Sequence, residues 1–314
     1  MPFHLLPLLP RRLVPVLGFV VLWGACTPPD RPSGVADPIS PALLAHLVAD
    51  SSRTIRVAEG VWYRYVWSEK GPWGLHLTEV DLDDCAMGFV TLTADLVTER
   101  RRSFARVSEM AAASNVLAAV NGDFFLVEGI SAGPEVHEGV VRRSRSRPAF
   151  SWFPSGGPEI GRTERLQDGS LGFSGLPIGG AAEVVGGLPQ LIADGRPVFD
   201  TTLTNGFRNG RHPRTAIGIS RDRTRLWLVV VDGRQAYSDG MTLPELRELF
   251  SLLGAENAIN LDGGGSSTMV VGGRLVSHPS DATGERAVVN GLGVFRDQAL
   301  CSSGVTLEQL RARP

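Results

Sequence analysis

From about Ser51 onward, apolar residues fall in short runs rich in β-branched and aromatic side chains, separated by turn residues. This pattern predicts strands. Val61 to Trp67 (VWYRYVW), His76 to Asp81 and Gly88 to Leu92 are the first of them. Phe104 to Ala113 is predicted as a helix. It leads into Val116 to Val120, a short apolar run with the character of a buried strand, and then at once into the turn signal Asn121-Gly122-Asp123. The stretch from Ser144 to Asn209 is dense in Gly and Pro, which implies short strands and many turns. Thr215 to Ile219 and Arg225 to Val231 are strands joined by a turn. Thr242-Leu243-Pro244-Glu245 forms a capping box with proline in the first turn; Leu246, Leu249, Phe250 and Leu253 keep helical spacing, and Gly254 ends the helix. Ala258 to Leu261 is a buried strand, Thr268 to Val276 a hairpin turning at Gly272-Gly273, and Val288 to Phe295 the last strand. The fold class expected is α+β, one domain built on a large, mainly antiparallel or mixed β-sheet system flanked by a few helices.

The N-terminal pattern differs. Arg11 and Arg12 precede an apolar run, Leu13 to Trp23, that ends in Gly24-Ala25 before Cys26. The run is shorter than the roughly 20 residues of a membrane span and has the make-up of a signal segment. The string LWGAC resembles a bacterial lipoprotein signal, in which Cys26 carries the lipid; plain secretion is the alternative. The expected organisation is residues 1–25 signal peptide, 26–50 lipid-anchored or flexible linker, 51–298 catalytic domain and 299–314 tail. Export to the bacterial cell envelope follows, with membrane contact only through that anchor.

Composition narrows the partners. At 43% hydrophobic and 20% charged, the 314 residues have an ordinary globular balance. A net charge of -2 without a basic, aromatic-interleaved stripe argues against nucleic acid. Arg142, Arg143, Arg145 and Arg147 are the local exception, and a solvated loop is the expected reading. Besides Cys26, the chain holds Cys85 and Cys301. In an exported protein this even pair suggests one disulfide closing a long loop, with two unrelated buried thiols as the alternative.

The candidate chemistry starts with Asp262-Gly263-Gly264-Gly265-Ser266-Ser267 at a strand end. Consecutive glycines let backbone amides approach a ligand oxygen, and the serines add hydroxyls, so the loop suits a phosphate or a set of sugar hydroxyls. The alternative is a glycine-rich corner in which Asp262 caps its own turn. No Lys follows the glycines, as a Walker loop requires, and the Gly-x-Ser-x-Gly elbow is absent. Arg214 is either a clamp on phosphate or carboxylate or a surface salt bridge. Asn121, Asp123, Thr215, Asp232, Ser238, Glu285 and Arg286 also sit at strand exits or entrances. Turn chemistry explains any one of them; together they suggest a cleft. Glu135, His137 and Glu138 are the one local group of metal-ligand types, and a surface loop is the expected reading, so no metal site is expected from spacing.

The set of strings NGDFF (121–125), HPRTAIG (212–218), VVVDGR (229–234), YSDGMTLPEL (237–246), LGAENAINLDGGGSSTMVV (253–271) and GER (284–286) resembles the phosphodiester glycosidase family. The resemblance implies hydrolysis of a sugar joined through its anomeric carbon to a phosphodiester, giving free sugar and a phosphomonoester. For that reaction the residues suggest Asp262 or Glu285 as nucleophile or general base, and Arg214 with the amides of Gly263, Gly264 and Gly265 on the phosphate. Asn121, Asp123, Thr215, Asp232, Ser238, Ser266, Ser267 and Arg286 are the expected substrate contacts. No cofactor is implied, with a divalent cation left open. A general glycosidase acting on cell-wall or exopolysaccharide glycans and a non-catalytic glycan-binding lipoprotein are the competing classes.

Overall fold

In strands Arg214–Ser220 and Arg225–Val231 the side chains alternate between two different cores, and both faces are buried. Ile217, Ile219, Leu226, Leu228 and Val230 face one core, while Ala216, Trp227, Val229 and Val231 face the other. A sheet covered on both sides needs a partner layer on each. In this computed structural model, residues 41–153, 156–173 and 176–302 are described. The expected signal segment, Cys26 and most of the expected linker and tail lie outside them.

The two strands sit inside an eight-stranded sheet whose order is Ser51–Ala58, Val61–Ser68, Trp73–Asp81, Arg225–Val231, Arg214–Ser220, Ala255–Asn260, Gln190–Ala193 and Arg196–Pro197. Every neighbouring pair is antiparallel. One face packs on helix Leu243–Leu253 through Leu246, Leu249 and Phe250. The cap residues do what their chemistry allows: Thr242 and Glu245 form the reciprocal box, and Gly254 closes the helix at φ 83°.

The other face packs on a five-stranded antiparallel sheet ordered Arg274–Leu275, Met269–Val271, Ala118–Asn121, Asn290–Arg296 and Met87–Thr93. Phe89, Val120, Met269, Leu292 and Val294 fill that interface. Helix Val107–Ala113 covers the far side of this second sheet through Val107, Met110 and Ala111. A further five-stranded sheet, Gly157–Arg162, Pro148–Phe153, Glu183–Gly186, Glu135–His137 and Val140–Arg143, adds Phe150, Trp152 and Val185 to the same central core. The molecule is therefore mostly β, with few and short helices. Among the described residues no helix is long and apolar enough to cross a membrane.

Three expectations are corrected. The stretch 26–50 is not all linker: Pro41–Leu47 is a helix whose Leu43 and Leu47 are buried with the long helix, and Trp73 Nε1 donates to the Leu47 carbonyl at 3.1 Å. Glu135 and His137 are strand residues, 6% and 5% exposed, and not part of a surface loop. Arg142 is half-buried in strand Val140–Arg143 and grips both oxygens of Asp95 at 2.8 Å, so it is not simply solvated. Cys85 and Cys301 are joined by a disulfide across 216 residues of sequence.

Candidate active-site cleft

The cleft forms where two neighbouring strands of the large sheet end side by side. Arg214 begins its strand, and Asp262 lies just past the end of Ala255–Asn260; the Leu261 amide donates to the Thr215 carbonyl at 2.8 Å and keeps the two ends in register. The glycine loop then folds back, its Gly264 amide donating to the Pro213 carbonyl at 2.9 Å. Gly264 has φ 63°, a left-handed conformation that disfavours a Cβ. At Gly265 a Cβ would collide with the Arg286 guanidinium and the Asp281 carboxylate. The glycines therefore serve close packing against an ion pair.

Phe124, Phe207, His212, Pro213, Arg214, Arg234, Asp262, Gly263, Gly264, Gly265 and Arg286 line a cleft of about 260 Å³. That is slightly below the usual range for drug-sized ligands and suits one small group. Arg214 is only 2% exposed. Its Nε donates to the Met241 carbonyl at 2.9 Å, and one terminal nitrogen donates to the carbonyls of Phe207 and Gly210 at 2.8 and 3.1 Å. The guanidinium also lies over the Phe207 ring at 5.2 Å. No carboxylate of the described residues forms an ion pair with it. Burial, reinforced by Arg234 and opposed by the charge of Glu245, lowers its pKa to about 10, so it stays charged at neutral pH. Arg286 is held by Asp281 through bonds of 2.7 and 3.0 Å, and reaches the Ser266 hydroxyl at 3.4 Å.

Asp262 is the carboxylate in the cleft lining. Its Oδ1 accepts from the Gly263 amide at 2.9 Å. Burial raises its pKa, opposed by Ser266, the Gly263 amide and Arg286. Its backbone is fixed from both sides, its amide donating to the Gly122 carbonyl at 3.0 Å and its carbonyl accepting from Asn121 Nδ2 at 2.7 Å.

The structure brings Arg214, Asp262, Gly263, Gly264, Gly265 and Arg286 together, with Ser266 directly behind. It places the other expected contacts elsewhere. Asn121 is fully buried, and its Oδ1 accepts from Thr215 Oγ1 at 2.7 Å and from the Thr268 amide at 3.1 Å. Asn121 and Thr215 are therefore a clamp between the two packed sheets, both fully buried and outside the cleft lining. Asp123, 2% exposed, accepts from Phe124, Ser131 and Gly133 behind the cleft, and burial raises its pKa to about 6. Glu285 accepts from the Ser108 amide at 2.9 Å and the Ser108 hydroxyl at 2.5 Å, at the start of helix Val107–Ala113. That is a helix-capping arrangement outside the cleft lining. Asp232 and Ser238 are buried in a neighbouring network, the Ser238 hydroxyl donating to the Asp232 carbonyl at 2.6 Å. Ser267 is buried, its Oγ lacking a protein partner. Of the loop amides, Gly263 and Gly264 are occupied by protein acceptors, which leaves Gly265 as the amide open to a ligand.

The sequence profile of the phosphodiester glycosidase family matches residues 114–295, more than half of the chain. The chain belongs to the phosphodiester glycosidase family. Every residue of the cleft lies within the matched span. The chain is 31% identical over 203 residues to mouse N-acetylglucosamine-1-phosphodiester alpha-N-acetylglucosaminidase, covering 58% of this chain and 37% of that one. It is 41% identical over 104 residues to the SPbeta prophage-derived uncharacterized protein YomE of Bacillus subtilis, covering 33% and 16%. The match thus spans well under half the length of these curated relatives. Two solved structures share the fold. A hypothetical protein from Synechocystis superposes with a TM-score of 0.65 at 18% identity, over 79% of this chain and 64% of that one. The zebrafish N-acetylglucosamine-1-phosphodiester alpha-N-acetylglucosaminidase catalytic domain, auto-inhibited by its pro-peptide, gives 0.59 at 21% identity, over 79% and 88%.

Sequence reasoning missed Phe124, Phe207, His212, Pro213 and Arg234 as cleft residues. Arg234 was within reach, since it ends the VVVDGR string. Phe124 lies in the NGDFF string, and Phe207 is a single aromatic in the polar turn-like run 204–210 (TNGFRNG), which carries no signal of a site.

Proposed function

We propose that this phosphodiester glycosidase hydrolyses a sugar-1-phosphodiester, releasing free sugar and a phosphomonoester. The observation that carries the reading is Arg214. A buried guanidinium whose protein partners are carbonyls is hydrogen-bonded but not neutralised, and such a group is completed by an anion. The cleft lining holds three arginines (Arg214, Arg234, Arg286) and one carboxylate, Asp262; counting Asp281, the partner of Arg286 outside the lining, the balance is 3 − 2 = +1. A phosphodiester brings the missing negative charge.

In this reading Arg214, Arg234 and the Gly265 amide hold the phosphoryl oxygens and stabilise the charge that builds there as the glycosidic bond breaks. Asp262 supplies the nucleophile or the base for water. Ordinary glycosides need a second carboxyl group as acid, because their leaving group is a poor one. Phosphate leaves readily without it. The cleft lining contains Asp262 as its carboxylate, while Glu285 caps a helix, and this favours the phosphodiester reading over a general glycosidase. The names of the mouse and zebrafish relatives support the same substrate class.

The test is a panel of sugar-1-phosphodiesters, N-acetylglucosamine among the sugars, given to the purified protein. Free sugar with phosphomonoester is expected. Arg234→Ala, an exposed position, should raise KM for phosphodiesters roughly ten- to a hundredfold, the range of a lost charged hydrogen bond. It should leave simple aryl glycosides nearly unaffected. An intact panel, or equal loss on both substrate types, counts against the proposal.

Export belongs to the same proposal. Its support is the signal-like segment before Cys26 together with the Cys85–Cys301 disulfide, which belongs in an oxidising compartment. Lipid attachment at Cys26 is expected as labelled fatty acid retained by the protein and lost in Cys26→Ala; an unlabelled protein would mean plain secretion.

A further inference from the structure

Beside the cleft lies a cluster of side chains that the hydrolytic reading does not use. His76 sits on strand Trp73–Asp81, Asp232 follows strand Arg225–Val231, and His278 lies in the loop after Arg274–Leu275. His76 Nε2 is 3.0 Å from Asp232 Oδ2, and His278 Nδ1 is 3.1 Å from the same oxygen. The three potential ligand atoms lie within 4.8 Å of one another.

We propose that His76, Asp232 and His278 form a binding site for a divalent transition-metal ion such as zinc or manganese. The donor set, two imidazole nitrogens and one carboxylate oxygen, is of the kind such ions select.

Three further features support the assignment. Asp232 Oδ2 also accepts from the Tyr237 hydroxyl at 2.9 Å, so three groups crowd an oxygen that offers about two lone-pair directions. Oδ1 meanwhile serves the His278 amide at 2.8 Å. An ion among the three donors would relieve that crowding by taking the two ring nitrogens onto itself. The Tyr63 hydroxyl lies 2.8 Å from His76 Nδ1. In the tautomer whose Nδ1–H donates a hydrogen bond to the phenol oxygen, Nε2 presents its lone pair toward Asp232, an outer contact typical of metal-bound histidines. The side chains of His76 and Asp232 are each 1% exposed, and that of His278 is 63% exposed. Two ligands are thus fixed by the fold and the third is open to solvent, which gives an ion a way in. Among the described residues the other group of ligand types, Asp84 with Cys85 and Cys301, is ruled out because its sulfurs are bonded to each other.

The ligands are 156 and 46 residues apart, so no local motif announces them. A bound ion would also tie the His278 loop to the large sheet. Asp281, three residues further on, orients Arg286 at the cleft.

The experiment is metal binding by the full chain without substrate, so its outcome is independent of hydrolysis. Protein stripped with chelator is dialysed against zinc or manganese chloride alone, and bound metal is counted by elemental analysis. One ion per chain is expected, with affinity at least tenfold weaker in His278→Ala and lost in His76→Gln. Cobalt should give visible absorption bands that His278→Ala abolishes. Because His278 is exposed, that variant tests the site even where His76→Gln fails to fold. No stoichiometric ion, or unchanged affinity in folded His278→Ala, overturns the proposal and leaves a hydrogen-bonded cluster.

Discussion

Asp262 carries a conflict between stability and chemistry in one side chain. Burial raises its pKa, so between the ordinary aspartate value and the raised one the folded chain holds a proton that the unfolded chain has lost. Stability therefore falls as pH rises through that window, and at neutral pH the fold bears the cost of an ionised carboxylate. A nucleophile or base needs that ionised form. Two outcomes follow. The acid limb of kcat/KM should lie above about 4, the ordinary aspartate range. Asp262→Asn should lose at least about a thousandfold in turnover while melting at pH 7 no lower than the parent. A limb at or below 4, or near-normal turnover in the variant, removes Asp262 from the chemical step. Asp123 is also pushed up by burial, to about 6, yet its three donors and its place behind the cleft give it a structural role.

Among the elements, those that were legible carry local chemistry. The Thr242–Glu245 box, Pro244 and Gly254 mark both ends of the long helix within one residue, because capping is decided by side chains that neighbour the backbone groups they satisfy. The Gly272-Gly273 hairpin is similar, both glycines having positive φ. What was not legible depends on distant partners. Helix Pro41–Leu47 is too short to show a period, and its stability comes from burial of Leu43 and Leu47. Strand Glu135–His137 looks polar because its carboxylate and imidazole pair inside the protein, with Asn290 at 2.6 Å and Glu183 at 3.4 Å. The candidate site divides in the same way. Glycine runs and a strand-end aspartate announced the loop, but polar residues at strand ends also serve as ties between sheets. Asn121, Thr215 and Glu285 proved to be such ties or caps.

At the scale of the whole molecule, Cys85 and Cys301 fasten the edge of the second sheet to the segment after its Asn290–Arg296 strand. The loop they close is long, and the chain-entropy limit for it is about 5 kcal/mol. Both cysteines are exposed, so a mild reductant should reach them. Reduction, or Cys85→Ser with Cys301→Ser, should lower the melting temperature by several degrees and leave KM unchanged; a melting temperature indifferent to reductant would mean that sheet packing alone holds this edge.

Asn121 bonds to Thr215, Asp262 and Thr268, partners 94, 141 and 147 residues away along the chain. The cleft is thus not a cassette that a protein engineer can cut out and graft. The nine residues from Ile259 to Ser267, moved to another scaffold, would leave behind the amide that holds Asp262 in place, and an accepting host must supply two packed sheets before it can supply a site.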